Sequence, residues 1–531
     1  MAEDIRQTFS MSRRLQYGDR VVKVFTDRPQ TVYRLLADSA ARTPDAPAVF
    51  DAAIITTYGE LDRLAGAFAG VLDKHGIRAG DRCAIYLGNS LEFVIAVLGC
   101  AFAGVVSVPV GARLRAPEIA YVMENSGASA LIHDAALSDQ LPDSSATPSL
   151  LVLDVGAGRT GRFWAELNAA GCDVSPAAVS EEDTAVLIYT SGTTGRPKGV
   201  MLSHAGLVHS ALHFAEHLGF RFGERFLLAV PGSHITGLAA VVLEALYLGG
   251  AIVIQRHFKV DRLLDLIAGY KVNSTVLVPA MYNLLLLQPD FGERDLSSWH
   301  TGIFGGAPMP PATISELARR LPRLQLVNGY GATEASSAIS LTTHEQIRDK
   351  PECVGFPVAC ADVVILDDAG CEVLPGEVGQ LHVGGPMVAK GYWNDAAATT
   401  REFAGGYWRS GDLASVDDEG AIFLRGRVKD MINRGGYKIY PVEVENVISA
   451  IPGVIECAVF GYADSVLGEK SAAVVVVGDE EESWSEIVRD HCLKVLADYK
   501  CPDNFRFTAE PLPKNANGKT DKGALKGLHT A

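Results

Sequence analysis

Four times in this chain an apolar run stops abruptly in small or polar residues. Ala185–Tyr189 runs into Thr-Ser-Gly, Ser274–Val278 into Pro-Ala, Thr301–Phe304 into Gly-Gly-Ala-Pro, and Leu324–Val327 into Asn-Gly-Tyr-Gly. Short apolar runs bounded by turn-forming residues read as buried strands. In open α/β sheets, ligands sit outside the carboxyl ends of such strands, so these endings predict one composite crevice. Residues 57–110 supply the alternation that a parallel sheet needs. Tyr58–Gly76 has helical apolar spacing, Arg82–Leu87 is a short strand, a second helix runs to about Phe102, and Val105–Val110 is another strand. Phe93–Val110 is an 18-residue stretch without a charge, the lower limit for a membrane span. Gly99, Gly104, Ser107 and Pro109 within it fit a buried helix followed by a buried strand instead.

A chain of 531 residues exceeds one core and predicts two or more domains. From about Asp362 the pattern changes to shorter strands, at Val363–Leu366, Gly379–Val383 and Ala421–Leu424. Beyond Lys429 a small α/β domain is expected, with helices near Val442–Ile451 and Trp484–Leu496 and strands at Ile455–Phe460 and Ala472–Val477. The expected fold is therefore α/β: a large N-terminal domain of mixed, mostly parallel sheets with helices (1–428), plus a small α/β C-terminal domain (429–531). Residues 135–183, rich in Pro, Ser, Ala and Gly clusters, read as surface structure and loops.

The net charge of −16 argues against general binding to nucleic acid or to an anionic membrane surface. Nine scattered cysteines without a C-x-x-C pair suit a reducing compartment rather than a disulfide scaffold. The first residues lack the basic start and apolar stretch of a signal peptide, and the C-terminus carries no peroxisomal or lipidation signal, so cytoplasm is the expected location.

The most informative stretch is Tyr189–Gly199, reading Tyr-Thr-Ser-Gly-Thr-Thr-Gly-Arg-Pro-Lys-Gly. Gly192 and Gly195 let backbone approach a ligand, and the hydroxyls of Thr190, Ser191, Thr193 and Thr194 can donate to phosphate oxygens along with the amides. Lys198 adds a positive charge for the distal phosphates. The loop departs from the P-loop nucleotide-triphosphatase pattern, because Gly199 follows the lysine.

With the motifs that follow it, this loop resembles the adenylate-forming superfamily of acyl- and aryl-CoA synthetases, peptide-synthetase adenylation domains and firefly-type luciferases. The resemblance spans about Thr57 to Leu525, with several separated motifs in the family's order. It implies a role for each. Gly305-Gly306-Ala307-Pro308 resembles the segment that packs on adenine. In Asn328-Gly329-Tyr330-Gly331-Ala332-Thr333-Glu334, the resemblance implies that Tyr330 stacks on adenine, Thr333 contacts the α-phosphate and Glu334 helps to hold Mg²⁺. Asp412, in Tyr407–Asp412, and Arg427 are similar to ribose contacts. Lys429 falls at the hinge between domains. Arg434–Pro441, with Gly435, Gly436 and Lys438, resembles the loop lining the thiol tunnel, and Lys519 the mobile catalytic lysine. The implied cofactors are ATP, Mg²⁺ and coenzyme A.

That chemistry suits these residue types. A carboxylate attacks the α-phosphorus and pyrophosphate leaves, so catalysis is mainly positioning and charge neutralisation. Lys519 can bridge the acid and the α-phosphate. An ionised Asp412 offers only acceptors, which suits a ribose diol. The resemblance implies a mobile small C-terminal domain, whose rotation about Lys429 would then replace Lys519 with Gly435-Gly436 for transfer to the thiol.

Pro231–Gly237 is similar to a family segment whose histidine lies near the substrate carboxylate, here His234. Gly232 and Ser233 stand where the family often has a bulky pair. Val278–Tyr282 and Ala335–Ser337 are expected to border the same pocket. They carry no charge, so a hydrophobic fatty or aryl acid fits better than an amino acid, and fatty acid metabolism is the expected setting. His213-Phe-Ala-Glu-His217 matches the H-x-x-E-H zinc-protease pattern, but that pattern also needs a third ligand and a cleft, and an ordinary helix is expected here. Two alternatives remain: transfer of the acyl group to a carrier-protein thiol, an amine or oxygen, and a nucleotide-binding protein without catalysis.

Overall fold

The computed structural model describes residues 10–142, 150–171, 174–190, 196–289, 291–478, 483–514 and 520–530. The chain packs as two compact α/β units. One takes the described residues within 1–363 and 383–408, the other those within 364–382 and 409–531. The second unit thus includes segments ahead of Lys429, because Asp412–Val416 pairs in register with Ile422–Arg427 and the two stay together. Lys429 itself lies in the one-turn helix Val428–Asp430.

In the first unit, one sheet runs in the spatial order Lys198–Ser203, Thr184–Thr190, Val106–Pro109, Arg82–Tyr86, Ala130–Asp134, Leu151–Val155. Its strands are parallel except Lys198–Ser203, which returns antiparallel along Thr184–Thr190. The helix Leu91–Ala103 starts on Ser90, whose hydroxyl accepts from the Phe93 amide, and stops at Gly104, where φ is +68°. The uncharged stretch is thus a buried helix followed by the buried strand Val106–Pro109. No helix among the described residues is long and apolar enough to cross a membrane.

The expectation of mere surface structure over 135–183 is overturned. Leu151–Val155 is an edge strand, and Gly161–Ala169 is a helix that buries Phe163, Trp164 and Leu167. The Trp164 indole donates to Glu92 at 3.0 Å. Burying three such side chains, at about 1.5–3 kcal/mol each, outweighs the weak local pattern.

The second sheet of this unit carries parallel strands in the order Gln325–Ala332, Thr301–Gly305, Ser274–Leu277, Arg225–Leu228, Ala251–Ile254, Pro47–Asp51. Trp299, Tyr282, Leu285, Phe304 and Leu326 form part of the core beneath it. Parallel register puts the carboxyl ends of these strands along one edge. Pro231–Gly237, Val278–Tyr282, Gly305–Pro308 and Asn328–Glu334 all follow or form such ends.

In the second unit, Val454–Asp464 and Gly468–Val477 form a long antiparallel pair, and Asn504–Thr508 adds a parallel strand. The helices Pro441–Ser449 and Trp484–Val495 cover it.

Candidate active site

The stem of the phosphate loop is a strand pair in which Thr190 and Lys198 are register partners. Ser191, Gly192, Thr193, Thr194 and Gly195 lie outside the described residues. The stem is fixed from several sides. The Tyr189 hydroxyl donates to Asn125 at 2.7 Å, the Tyr121 hydroxyl to the Pro197 carbonyl at 3.0 Å, and the Trp393 amide to the Gly199 carbonyl at 2.7 Å. A hairpin of Met11–Gln16 and Arg20–Phe25, which sequence patterning did not reveal, braces the same region. The Tyr17 hydroxyl donates to Ser203 at 2.7 Å, Arg14 pairs with Glu181, and Arg20 donates to the Ala389 carbonyl at 2.9 Å.

Lys198 points its ammonium at Glu402, 2.7 Å away, and lies over the Tyr392 ring, 4.6 Å from its centroid. The Tyr392 hydroxyl is 2.7 Å from the other Glu402 oxygen and 3.1 Å from Glu334 Oε1. Thus Lys198 and Glu334, which are 136 positions apart by subtraction of their numbers, belong to one hydrogen-bonded set. Backbone pairing brings them there: Tyr392 bridges to Val200, the Met201 amide donates to the Gly391 carbonyl, and the Ala389 amide donates to the Glu334 carbonyl at 2.8 Å. Burial alone would push the Glu402 carboxyl up, but donation from Lys198, Tyr392 and Arg401 outweighs it and leaves its pKa below the ordinary value. Burial, and then the two carboxylates, hold the Tyr392 phenol above its ordinary pKa. Neither Tyr392 nor Glu402 was legible as a functional residue, since each finds its partners only through tertiary packing.

At the carboxyl edge of the parallel sheet, Gly305 and Gly329 are register partners, and Gly306, Ala307 and Pro308 are exposed beyond them. The Asn328 amide donates to Thr342 Oγ1 at 2.7 Å and its side chain to the Cys353 carbonyl at 3.3 Å. Tyr330 pairs with Ser340, and Gly331 passes so close to Ser337 that a Cβ there would collide with the Ser337 carbonyl oxygen. Thr333 and Glu334 sit in a single 3-10 turn. After it Ser336 and Ser337 take φ of +52° and +130°, a conformation that costs a non-glycine residue of order 1–3 kcal/mol. Ser336 Oγ donates to the Met387 carbonyl at 2.7 Å and Ser210 Oγ to the Ser336 carbonyl at 2.6 Å, and these bonds hold the bend.

His234 caps the three-residue helix Ile235–Gly237, and the buried helix Leu238–Leu243, with its wider π turn, follows directly. Its side chain is open to solvent, yet the protein packed around it lowers its pKa, and the Arg113 charge lowers it further. It is therefore neutral at pH 7 and can donate one hydrogen bond. The small Gly232 is explained by Phe93, whose ring edge would lie 2.8 Å from a Cβ at that position. Asn89 ties this loop down: its side-chain oxygen accepts from the Gly232 amide at 2.8 Å and its nitrogen reaches the Val230 carbonyl at 3.0 Å. Of the two segments expected beside the pocket, Tyr282 turns inward, donating to the Ile303 carbonyl at 3.1 Å and stacking on Trp299.

In the second unit, Asp412 is buried and pairs with Arg427 Nε at 2.9 Å, its partner in register. Gly435 and Gly436, with φ of +59° and +93°, form the turn between Ile432–Arg434 and Tyr437–Ile439. Two consecutive positive φ angles are what a tight two-residue hairpin needs. Lys438, on that hairpin, pairs with Asp368 at 2.8 Å. Lys519 lies outside the described residues.

No group of three or more His, Cys, Asp or Glu among the described residues could hold a metal by itself. Mg²⁺ is commonly bound by one or two carboxylates together with substrate phosphates and water. Glu334 supplies one such carboxylate and fits that oxygen-only demand. The two H-x-x-E-H histidines point to separate partners: His213 is fully buried on the helix His204–Leu218 with its ring 5.5 Å from that of Phe25, and His217 Nε2 lies 3.1 Å from the Thr342 carbonyl oxygen.

Residues 36–393 match the AMP-binding enzyme family and residues 443–519 its C-terminal domain. The chain is 37% identical to a feruloyl-CoA synthase from an Amycolatopsis species, over 92% of this chain and 96% of that one. It is 34% identical to the long-chain-fatty-acid–CoA ligase FadD13 of Mycobacterium tuberculosis, over 90% and 93%. Its fold matches the o-succinylbenzoate coenzyme A synthetase MenE from Bacillus subtilis, in complex with ATP and magnesium ion. The TM-score is 0.82 and the identity 30%, over 93% of this chain and 99% of that chain. The phosphate-loop stem, the carboxyl-edge loops and these matches agree, and the chain belongs to the AMP-binding enzyme family.

Proposed function

We propose that this protein is an AMP-forming acyl-CoA synthetase. It couples ATP to a hydrophobic fatty or aryl carboxylic acid, giving acyl-AMP and pyrophosphate, and then passes the acyl group to the thiol of coenzyme A, releasing AMP. The observation that carries the proposal is the set Lys198–Glu402–Tyr392–Glu334, which joins the phosphate-loop lysine to the carboxylate of the Thr333-Glu334 turn.

In this proposal the Thr190 and Lys198 donors hold the distal phosphates while Thr333 faces the α-phosphate. Exposed Gly306, Ala307 and Pro308 and the ring of Tyr330 receive the adenine. Neutral His234 can donate to the acid's carboxylate without neutralising it. Mg²⁺, held partly by Glu334, would supply charge stabilisation on the phosphate oxygens. Asp412 accepts from the ribose hydroxyls beside Arg427. Lys519 neutralises the approach of the two anions, Lys429 serves as the hinge, and the Gly435-Gly436 turn with Lys438 serves the thiol step. Residues 231–243, 278–282 and 335–337 contain no carboxylate, so an amino acid's ammonium would find no partner there.

The test is pyrophosphate release with ATP, Mg²⁺ and a panel of alkyl, benzoic and cinnamic acids, with and without coenzyme A. Release for one acid class, made catalytic by coenzyme A, is expected. Release that coenzyme A does not accelerate would move the acyl group to another acceptor. ATP binding with no acid-driven release would leave a nucleotide-binding protein without this activity.

A further inference from the structure

Lys198 is held by two groups that lie far from its own loop in sequence. Its side chain is only 9% exposed, and one ammonium hydrogen is committed to Glu402 at 2.7 Å. An ammonium has three hydrogens, so others remain for phosphate oxygens while the nitrogen stays fixed. Glu402 is in turn heavily engaged. Arg401 donates to the same oxygen at 2.7 Å, and the Tyr392 hydroxyl sits 2.7 Å from the other. Tyr392 is itself fixed, its amide donating to Thr399 Oγ1 at 2.9 Å and its ring edge-on to Phe403 at 5.4 Å.

The phenol has one hydrogen and two carboxylates in reach. Glu402, at 2.7 Å, is the closer acceptor, and Glu334 lies at 3.1 Å. Without the Glu402 carboxylate the phenol's hydrogen would turn to Glu334, and the lysine would lose its anchor. We propose that Glu402 is a positioning residue for nucleotide binding: it fixes the Lys198 ammonium for the phosphates and takes the Tyr392 hydrogen, leaving the Glu334 carboxylate as an acceptor for a divalent cation. The proposal rests on the adenylating function above and deepens it. It assigns work to a residue outside the phosphate loop and outside the Asn328–Glu334 segment.

The experiment is calorimetry of MgATP binding to the full chain, without acid, for wild type, Glu402→Gln, Glu402→Asp and Tyr392→Phe, beside thermal melting of each. Glu402→Gln keeps the shape but loses the charge. It is expected to weaken MgATP binding about tenfold and to raise the Mg²⁺ concentration for half-saturation, with a melting curve close to wild type. Glu402→Asp, which restores the charge, is expected to recover part of the affinity, and Tyr392→Phe, which removes the competing hydrogen, to leave the Mg²⁺ requirement no higher than in wild type. In acid-dependent turnover, KM for ATP should rise in Glu402→Gln while kcat at saturating ATP changes less than threefold. Equal or tighter MgATP binding by Glu402→Gln would overturn the positioning role while leaving the adenylating function standing. A wild-type chain that does not bind MgATP would overturn both.

Discussion

The two units hold their candidate residues in different ways. In the first, Lys198 and Glu334 are bound into a half-buried set by side chains from other elements, and Lys198 and Glu402 are 204 positions apart. In the second, Asp412 and Arg427 are neighbours across one hairpin, Gly435 and Gly436 form the turn of another, and Lys438 reaches out to the exposed Asp368. The first arrangement ties function to folding, because removing a member unbalances charges inside the protein. The second pairs residues within one hairpin or at an exposed surface, so an exchange that keeps the side chain's shape there leaves few groups unsatisfied. A chain built this way should lose activity and stability together in one unit and activity alone in the other.

The largest effect that can break this contrast is expected from Lys198→Ala. Adenylation should fall by about 10²–10³-fold, the usual loss when a preorganised charge-stabilising group is removed. Stability should fall as well, by about 1–3 kcal/mol, since Glu402 would keep only Arg401 and Tyr392 as partners. Pyrophosphate exchange and urea unfolding of the same sample read both losses, and a full loss of activity with an unchanged unfolding midpoint would refute the coupling. Asp412→Asn is the matching change in the second unit. The ribose bonds proposed for it and its pair with Arg427 weaken, so KM for ATP should rise about tenfold. Arg427 is half open to water and can be solvated, so the midpoint should stay put. A collapse in stability here would erase the difference between the units.

The same contrast explains what the sequence revealed. Glycine and hydroxyl motifs are local, so the phosphate-loop stem and the loops at strand ends could be placed from spacing, and the Gly435-Gly436 loop from the family resemblance. The alternating helices and strands of 57–110 were equally plain, because each buries an apolar face of its own. Glu402 and Tyr392 were invisible. Glu402 follows Arg401 on a helix end and looks like an ordinary surface charge until 389–393 is laid along 199–201. The hairpin at 11–25 and the helix Gly161–Ala169 escaped for a related reason: each is stabilised by what it packs on. Gly232 stands where the family often has a bulky residue, and only the Phe93 ring beside it shows why a larger residue would not fit here.

Acid should separate the units further. Burial keeps His204 and His209 neutral, with pKa values lowered to about 4 and about 3, and drives His213 far below its ordinary value. The unfolded chain takes up these protons first, near pH 6.5, while the folded chain does not. The stability these residues contribute is therefore complete above pH 6.5 and is lost as pH falls toward 4. Each histidine can contribute a slope of about 1.4 kcal/mol per pH unit in that window. Urea unfolding at pH 7 and pH 5 should show the loss. In His213→Leu, which removes two buried nitrogens without a hydrogen-bond partner, the slope should be shallower. An equal slope in the variant would mean that His213 is already solvated in the folded protein.

The smallest effect should come from Lys438→Ala. Its pair with Asp368 is exposed, and Asp368 loses little when water replaces the ammonium. The thermal midpoint should not move. If the Gly435-Gly436 turn serves the thiol step, KM for coenzyme A should rise about two- to fivefold, the scale of one exposed cation. Pyrophosphate release in the absence of coenzyme A should be unchanged. Added salt should shrink the difference between variant and wild type, because an exposed charge is screened over a Debye length of about 8–10 Å. A loss that falls instead on the adenylation half-reaction would put Lys438 beside the nucleotide, and the second unit would then share in the phosphate chemistry proposed for the first.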